Sequence, residues 1–581
     1  MYTIMENARI VVDLLKKHNI RHIVVSPGGS NIPIVQAVQQ DDFFTCYSVV
    51  DERSAMYFAI GLYLKTGEIV ATSCTTANAT RNYIPGLTEA FYKHVPILAL
   101  TMSKHPMYLS QEYMQCPIQT SLPVDCVKKS YSIPRIKDEY DRAMSIRMVN
   151  EAILELTHHG MGPVQLNIEE LDSETWVFDN NLSLPDVRMI RRYDSVVEDY
   201  DFRNKRIMLL IGENMPCSEK TKRAIEEFCE GHDVFIYTNH LSNYHGKYSI
   251  NANLLVGGMS QEIFDSELKP DILITFGGIT GDYHIYRHLF SLNKHISEHW
   301  RIAEDGDIVD TYNQLTRVYQ MSVEEFFKSW DNSKKDKHSY YTKWYQLEKK
   351  INRDIDLPFS NTYLAQQLSS RIPANSYMNY AILNSLRSWL FFNIDDSIKC
   401  FSNVASFGID GCMSTFLGVS IVTEELCFLI IGDLSFFYDM NSIGIRHIKN
   451  NVRILIVNNN GGVEFKLGNL QFKTDVGSFI AADDHFKNAK GWAETQGFKY
   501  ISIKNKNEFQ IAKEEFLSES KKPIIMEVFT NPDDEKEAGR KILYENRNET
   551  SSEEIKSELK KSIKSIIGEK NVSKLKDILK K

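Results

Sequence analysis

The run from Leu426 to Gly462 limits the architecture of this chain more than any other stretch. Leu426-Cys427-Phe428-Leu429-Ile430-Ile431 is too short for a helix and is bounded by Gly432-Asp433, so it reads as a buried strand. Ile443 to Ile448 suits a helix. Val452-Arg453-Ile454-Leu455-Ile456-Val457 is a second buried strand, ending in Asn458-Asn459-Asn460-Gly461-Gly462. The unit is therefore β-α-β, with Asp433 at the end of one parallel strand and Asn460 just past the end of the next. Open parallel sheets bind ligands at those carboxyl ends. Two hard oxygen donors with the Gly462 carbonyl suit Mg²⁺, which completes its octahedron with water and phosphate oxygens.

The rest of the chain repeats that alternation of strand and helix. At 581 residues it is too long for one core, and two to four domains are expected. A helix over 4–17 leads to the strand Ile20–Val25 and the turn Ser26-Pro27-Gly28-Gly29-Ser30. The strand Glu68–Thr72 enters the small-residue loop Cys74–Thr80, a helix over 82–92 follows, and strands at Pro96–Thr101 and Gly162–Asn167 complete a first α/β domain, 1–185. Strands at Ile207–Ile211, Val234–Tyr237 and Asp271–Phe276 mark a central Rossmann-like domain, 190–345, with no clear Gly-x-Gly-x-x-Gly fingerprint for a flavin or dinucleotide. A charged helical segment, 336–356, leads to a third domain, 357–535, which holds Asp433. The Lys- and Glu-rich tail 541–581 has Ile555, Leu559, Ile563, Ile566 and Ile567 at helical spacing. The fold class is α/β, three consecutive domains with parallel sheets.

Composition excludes several roles. The net charge of −9 is spread along most of the chain, which argues against nucleic acid. No apolar run approaches the roughly 18 residues of a membrane span. Met1 to Ile20 carries Ile4, Ala8, Val11, Val12 and Leu15 on one helical face with acidic residues among them, unlike a signal peptide. Nine scattered cysteines without a Cys-x-x-Cys pair fit free thiols in a reducing compartment, hence the cytoplasm.

Gly432-Asp433 followed at this interval by Asn459-Asn460 resembles the metal and diphosphate motif of thiamine-diphosphate (ThDP) enzymes. Three α/β domains with that motif in the third resemble the pyruvate-oxidase type of these enzymes, and within it the menaquinone-pathway synthase branch. That branch is matched by Val25-Ser26-Pro27-Gly28, Asp51-Glu52-Arg53-Ser54-Ala55, Asn82-Tyr83-Ile84-Pro85 with Glu89-Ala90, Gly162–Asn167, and Gly408-Ile409-Asp410-Gly411 with Ser414-Thr415. The resemblance covers about 1 to 530. It implies ThDP and Mg²⁺ as cofactors, with Asp433, Asn460 and Gly462 on the metal. Gly432, Leu434 and Ser435 would join Asn384 and Ser385 around the diphosphate, and Ile409 would be the wedge that bends the cofactor. Glu52 would be the carboxyl that activates the aminopyrimidine, and Gln115 would stand near the reacting carbon. Because Glu52 serves a cofactor held by another subunit in that family, the resemblance implies a homodimer or homotetramer with shared sites.

The substrate side departs from the family. Ser30 stands where the branch has an arginine, Lys104-His105-Pro106 replaces Arg-Pro-Pro, and Asn403-Val404-Ala405 replaces Asn-Arg-Gly. Another arginine is lost near Trp389, although Arg387 lies two positions away. Glu464, beside Phe465, replaces an isoleucine. Arginine pairs bidentately with carboxylates, and each such pair lost costs about 2–5 kcal/mol. These changes argue against two dicarboxylate substrates. The expected activity is decarboxylation of a 2-oxo acid with transfer of the acyl carbanion to an acceptor. Ser30, Lys104 and Phe465 would line the substrate side, and Glu464 would join Glu52 and Gln115 in catalysis. The alternatives are the menaquinone-pathway synthase activity itself (2-oxoglutarate plus isochorismate), a simple decarboxylase or acetolactate-type ligase, and a non-catalytic ThDP-binding regulatory subunit.

Overall fold

The Cys427–Gly432 strand sends alternate residues to opposite sides. Phe428 and Ile430 enter one core with Leu455, Val457 and Met526, while Cys427, Leu429 and Ile431 enter another with Ile454, Ile456 and Ile525. A strand buried on both faces must be covered by helices twice, which is why its sequence is continuously apolar.

The computed structural model describes residues 1–196, 200–330, 337–467, 475–485 and 487–547. The chain divides into two compact units, Met1–Val196 with Phe290–Met321 and Val197–Leu289 with Ser322–Lys581. The first contains a six-stranded sheet in the order Thr45–Ser48, His22–Val25, Val70–Cys74, Ile97–Lys104, Val164–Glu170, Ser130–Ile133, with every pairing parallel. The second contains another, in the order Lys399–Ser402, Tyr377–Tyr380, Cys427–Gly432, Val452–Asn458, Ile524–Phe529, Lys499–Ile503, again all parallel. With the strands of each sheet numbered in chain order, both read 2-1-3-4-6-5. The two six-stranded sheets thus share one strand order. In each sheet the order reverses between strands 1 and 3, and the crevice at their carboxyl ends is where such sheets bind ligands.

The stretch 190–345 contributes strands to both units. Arg191–Tyr193, Glu298–Ile302 and Arg317–Tyr319 are parallel strands of the first. Ser249–Asn251, Val234–Thr238, Ile207–Ile211 and Ile272–Phe276 lie parallel, in that order, in the second. Between the last two, the carboxyl ends are closed by their own loops: Gly278 N–H donates to the Glu213 carbonyl at 2.7 Å. A Cβ on Gly212 would lie 2.0 Å from the Gly278 oxygen.

Three sequence expectations need correction. The helix expected over Ile443–Ile448 is absent; Asp433–Tyr438 is helical and Met440–Gly444 forms a 3₁₀ turn. Asp439 breaks the run, because its carboxylate accepts from Ser414 N, Ser414 Oγ and Ser442 Oγ and so ties the turn to a neighbouring helix. The helix over 82–92 is two helices, Asn78–Asn82 and Ile84–Tyr92. Pro85, which lacks an N–H, is tolerated only in the first turn of the second. In the segment 336–356 the helix is Ser339–Glu348. Of the tail 541–581, residues up to Glu545 continue the helix Pro532–Glu545, and 548–581 lie outside the described residues. The nine cysteines are free, as expected.

One buried carboxyl gives this fold a pH dependence. Glu535 is fully buried and accepts from Asn361 N, the first residue of the Asn361–Leu368 helix, and from Thr530 Oγ1. Burial pushes its carboxyl up to about 7 from an ordinary 4.5, against those two hydrogen bonds, with the charge of Asp534 adding to the rise. The unfolded chain releases this proton at lower pH than the folded one. The stability from this group is therefore fully present below about pH 4.5 and is lost as pH rises through about 7, a change of about 3 kcal/mol. Glu535→Gln is expected to flatten the fall in urea-unfolding free energy across that range. An unchanged slope would assign it to other groups.

Candidate active site

The second unit brings most of its expected residues to the carboxyl ends of three neighbouring strands, Tyr377–Tyr380, Cys427–Gly432 and Val452–Asn458. Asp433 follows the Cys427–Gly432 strand and is almost fully buried, at 3% exposure. Its Oδ2 accepts from Gly461 N at 2.8 Å, while its Oδ1 is buried without a hydrogen-bond partner. Burial pushes this carboxyl up to about 6, against backbone N–H groups of Gly461, Leu434 and Asp433 itself, with the charge of Glu527 adding to the rise. A buried carboxylate oxygen with no partner is costly, and a divalent cation would satisfy it. A Cβ on Gly432 would meet nothing within 4 Å, so the strand ends on open space.

Asn460 adopts φ +66°, and its Nδ2 donates to Asp484 Oδ1 at 3.2 Å, which leaves the amide oxygen for another partner. Gly461 is at φ +120°, where a Cβ would lie 2.4 Å from the Ala481 carbonyl oxygen, so only glycine fits this bend. Gly462 N–H donates to that same carbonyl, and the Gly462 carbonyl accepts from Phe465 N at 3.1 Å, which leaves it a second lone pair. The loop is held from below by Glu527, fully buried on the Ile524–Phe529 strand. Its carboxylate accepts from Asn458 Nδ2 at 2.7 Å, Ala489 N at 2.8 Å and Tyr500 OH at 2.7 Å.

Asn384 and Ser385 open a short helix after Leu383, whose φ of +62° is strained for a branched residue. The Asn384 carbonyl accepts from Asn361 Nδ2. Ser435 Oγ donates to the Ile409 carbonyl at 2.6 Å, so the expected wedge and the expected phosphate contact touch each other, while Leu434 and Ile409 are half-buried. Glu464 is paired with Arg387 at 2.5 Å, and the guanidinium lies 4.4 Å from the centre of the Tyr283 ring. This carboxylate, expected on the substrate side in place of an isoleucine, is thus already matched by a cation. Phe465 beside it is exposed.

In the first unit, Glu52 opens the helix Glu52–Thr66, which Asp51 caps by accepting from Ser54 N. Glu52 Oε2 accepts from Asn82 Nδ2 at 3.0 Å, while Arg53 turns to Asp51. The burial expected of this carboxyl is not reached here, since Glu52 remains partly exposed. Gln115 is exposed, with its Oε1 3.5 Å from Thr76 Oγ1. The glutamine that anchors this loop is Gln119, buried and donating to the Met102 carbonyl and to Asn167 Oδ1 while accepting from Ala77 N. Ser30 and Lys104 meet each other's partner, Glu170.

Sequence reasoning passed over Glu170, Gln119, Asn82 and Glu527 as working residues. The acidic run Glu169-Glu170 lay just beyond the strand Gly162–Asn167, at the carboxyl edge where functional side chains gather, and that was the available signal. Among the described residues there is no cluster of three His, Cys, Asp or Glu side chains able to hold a metal, and no helix is long and apolar enough to cross a membrane.

Residues 5–122 match the family model for the thiamine pyrophosphate enzyme N-terminal TPP binding domain, a span that includes Glu52 and Gln115. The chain is 33% identical to the 2-succinyl-5-enolpyruvyl-6-hydroxy-3-cyclohexene-1-carboxylate synthase of Phocaeicola vulgatus, over 94% of this chain and 100% of that protein. To proteins of the same name it is 32% identical in Bacteroides fragilis, over 91% and 97% of the two chains, and 29% identical in Christiangramia forsetii, over 91% and 96%. With the parallel sheets and the Asp433 crevice, these likenesses establish that the chain is a ThDP-dependent enzyme and belongs to the family that contains these synthases.

Proposed function

We propose that this protein catalyses ThDP- and Mg²⁺-dependent decarboxylation of a 2-oxo acid and transfers the resulting acyl unit to an acceptor. The observation that carries this reading is the buried, unpartnered Oδ1 of Asp433 at the strand-order reversal of its sheet, beside the Asn458–Gly462 loop. Asp433, the Asn460 amide oxygen and the Gly462 carbonyl would hold Mg²⁺, and Asn384, Ser385 and Ser435 would border the diphosphate. Bound ThDP supplies the electron sink for loss of CO₂. The chain's own residues orient the substrate and move protons. Glu52, held by Asn82, has the carboxyl to share a proton with a ring nitrogen. The same reading makes the protein a homodimer or homotetramer in which Glu52 of one copy serves the Asp433 crevice of another. Its nine free thiols suit the cytoplasm.

A second reading is the synthesis of 2-succinyl-5-enolpyruvyl-6-hydroxy-3-cyclohexene-1-carboxylate itself, favoured by identity running the whole length of the Phocaeicola protein. Against it stands the charge on the substrate side, where Lys104 and Arg387 are each already paired with a carboxylate. ThDP-dependent CO₂ release over a panel of 2-oxo acids separates the two. The first reading expects release from a 2-oxo acid without a second carboxylate. Release from 2-oxoglutarate alone, with product formed on adding isochorismate, would establish the second. No release from any acid would overturn both.

A further inference from the structure

Three parallel strands of the first unit, Arg191–Tyr193, Glu298–Ile302 and Arg317–Tyr319, lie side by side, and the chain entering each of them borders one cleft. The helix Glu139–Glu155 lines it through Arg142 and Ile146. The cleft has a volume of about 370 Å³, within the range of small-molecule sites. Ile146, Val187 and Ile296 give it an apolar wall.

Five cationic side chains but only two carboxylates border this cleft, in a chain whose net charge is −9. Both carboxylates are engaged within the protein. Glu298 Oε2 accepts from Trp300 Nε1 at 3.0 Å and Thr316 Oγ1 at 2.8 Å, and lies 3.4 Å from Arg317 Nε. Asp186 pairs with Lys17 at 2.7 Å. Arg188 is also spoken for, by Asp310, Asn313 and the Leu315 carbonyl. Three cations keep donors to offer. Arg142 spends Nε on Glu6 at 2.8 Å, and neither of its terminal nitrogens has a partner among the described residues. An arginine held in this way still presents a two-pronged donor to an oxyanion. Arg191 and Lys294 are exposed, and their side chains make no hydrogen bond or ion pair among the described residues. Lys294 reaches far enough to act on Asp186, whose carboxyl is held below its ordinary range by the Lys17 hydrogen bond and charge and further by the Lys294 charge.

The backbone that carries these groups is tied down. Gln314, 2% exposed, accepts from His295 N and Ile296 N and donates to the Ser291 and Asn293 carbonyls, which fixes the loop on both sides of Lys294. The buried Arg317 guanidinium lies 5.1 Å from the centre of the Trp300 ring and 5.7 Å from that of Tyr193. A site fixed before binding loses little freedom when it takes up a ligand. Cations gathered in a concave site also concentrate anions there. One anionic group can answer one of the three unspent cations, so a ligand that answers more of them carries several. The apolar wall calls for a carbon body between them.

We propose that this cleft binds a small organic anion with at least two carboxylate or phosphate groups, held by Arg142, Arg191 and Lys294. The site is independent of the ThDP reading, because none of these residues is assigned to the cofactor or to the 2-oxo acid.

The test titrates tricarballylate and fructose 1,6-bisphosphate by calorimetry into the full-length protein, with ThDP and Mg²⁺ in excess so that the proposed cofactor site is filled. The wild type is expected to take up at least one probe, at one site per chain, with a Kd of about 1 mM or tighter at low salt. The preferred probe distinguishes a carboxylate from a phosphate ligand. Arg191→Ala combined with Lys294→Ala is expected to weaken that binding by about tenfold or more. Its melting temperature should be unchanged, since both side chains are exposed and unpaired. No saturable uptake of either probe, or equal affinity in the double variant, would overturn the site. A double variant that changes oligomeric state, beside a wild type that takes up neither probe, would make the cleft an interface between copies and overturn it as well.

Discussion

Asp433→Ala is expected to weaken Mg²⁺-dependent ThDP binding by about 100-fold or more, since loss of even an outer partner of a metal ligand costs about 10–100-fold. Its effect on the ligand-free protein should run the other way. Asp433 is buried with one oxygen unpartnered and its carboxyl is pushed up to about 6, chiefly by burial. Removing such a group takes away a desolvation cost, so the ligand-free variant should unfold at or above the wild-type temperature. Ligand-linked stabilisation depends on the ratio of free ligand to Kd. The rise in melting temperature that ThDP and Mg²⁺ give the wild type should therefore disappear in the variant. A variant that is simply unfolded, or one that keeps the full ThDP-induced rise, would contradict the role assigned to Asp433.

Glu52→Gln should separate chemistry from binding. Loss of a general acid–base group costs about 10²–10⁴-fold in rate, so CO₂ release should fall by that much while ThDP affinity stays within a few-fold of wild type. The substitution preserves the local fold, because the helix cap belongs to Asp51 and a glutamine oxygen can still accept from Asn82 Nδ2. Single-turnover CO₂ release beside a ThDP titration checks both halves. A comparable loss of affinity would make Glu52 a binding residue, and undiminished release would remove it from catalysis.

The parallel sheets and the Asp433 crevice are legible in the sequence because the relevant signals are local. Continuous apolar strands, with Gly-Asp after one and Asn-Asn-Asn-Gly-Gly after the next, are enough to put the candidate metal donors at one sheet edge. Beyond that β-α-β unit the strand order is not legible, because the other neighbour of Cys427–Gly432 is Tyr377–Tyr380, separated from it by a long stretch of chain. That both six-stranded sheets share one order emerges only from their pairing. The helix over Ile443–Ile448 fails for a similar reason: apolar spacing favours it, but the contacts of Asp439 with Ser414 and Ser442 decide the turn.

The charge balance around the residues expected to face the substrate is half legible. Ser30, Lys104 and Glu464 are visible as changes of residue type, but their partners are not. Glu170 comes to Lys104 through strand register, and Arg387 reaches Glu464 across 77 positions of sequence. Lys104, counted alone, looks like a cation awaiting a substrate. In the fold its charge is claimed by two carboxylates of its own chain.

The most direct test of the central claim is a calorimetric titration of ThDP into the dialysed protein, with and without Mg²⁺. Saturable binding at one site per chain that requires Mg²⁺ and is lost in Asp433→Ala is the predicted result. Binding that is absent, or indifferent to both Mg²⁺ and Asp433, would contradict the placement of the cofactor in this crevice.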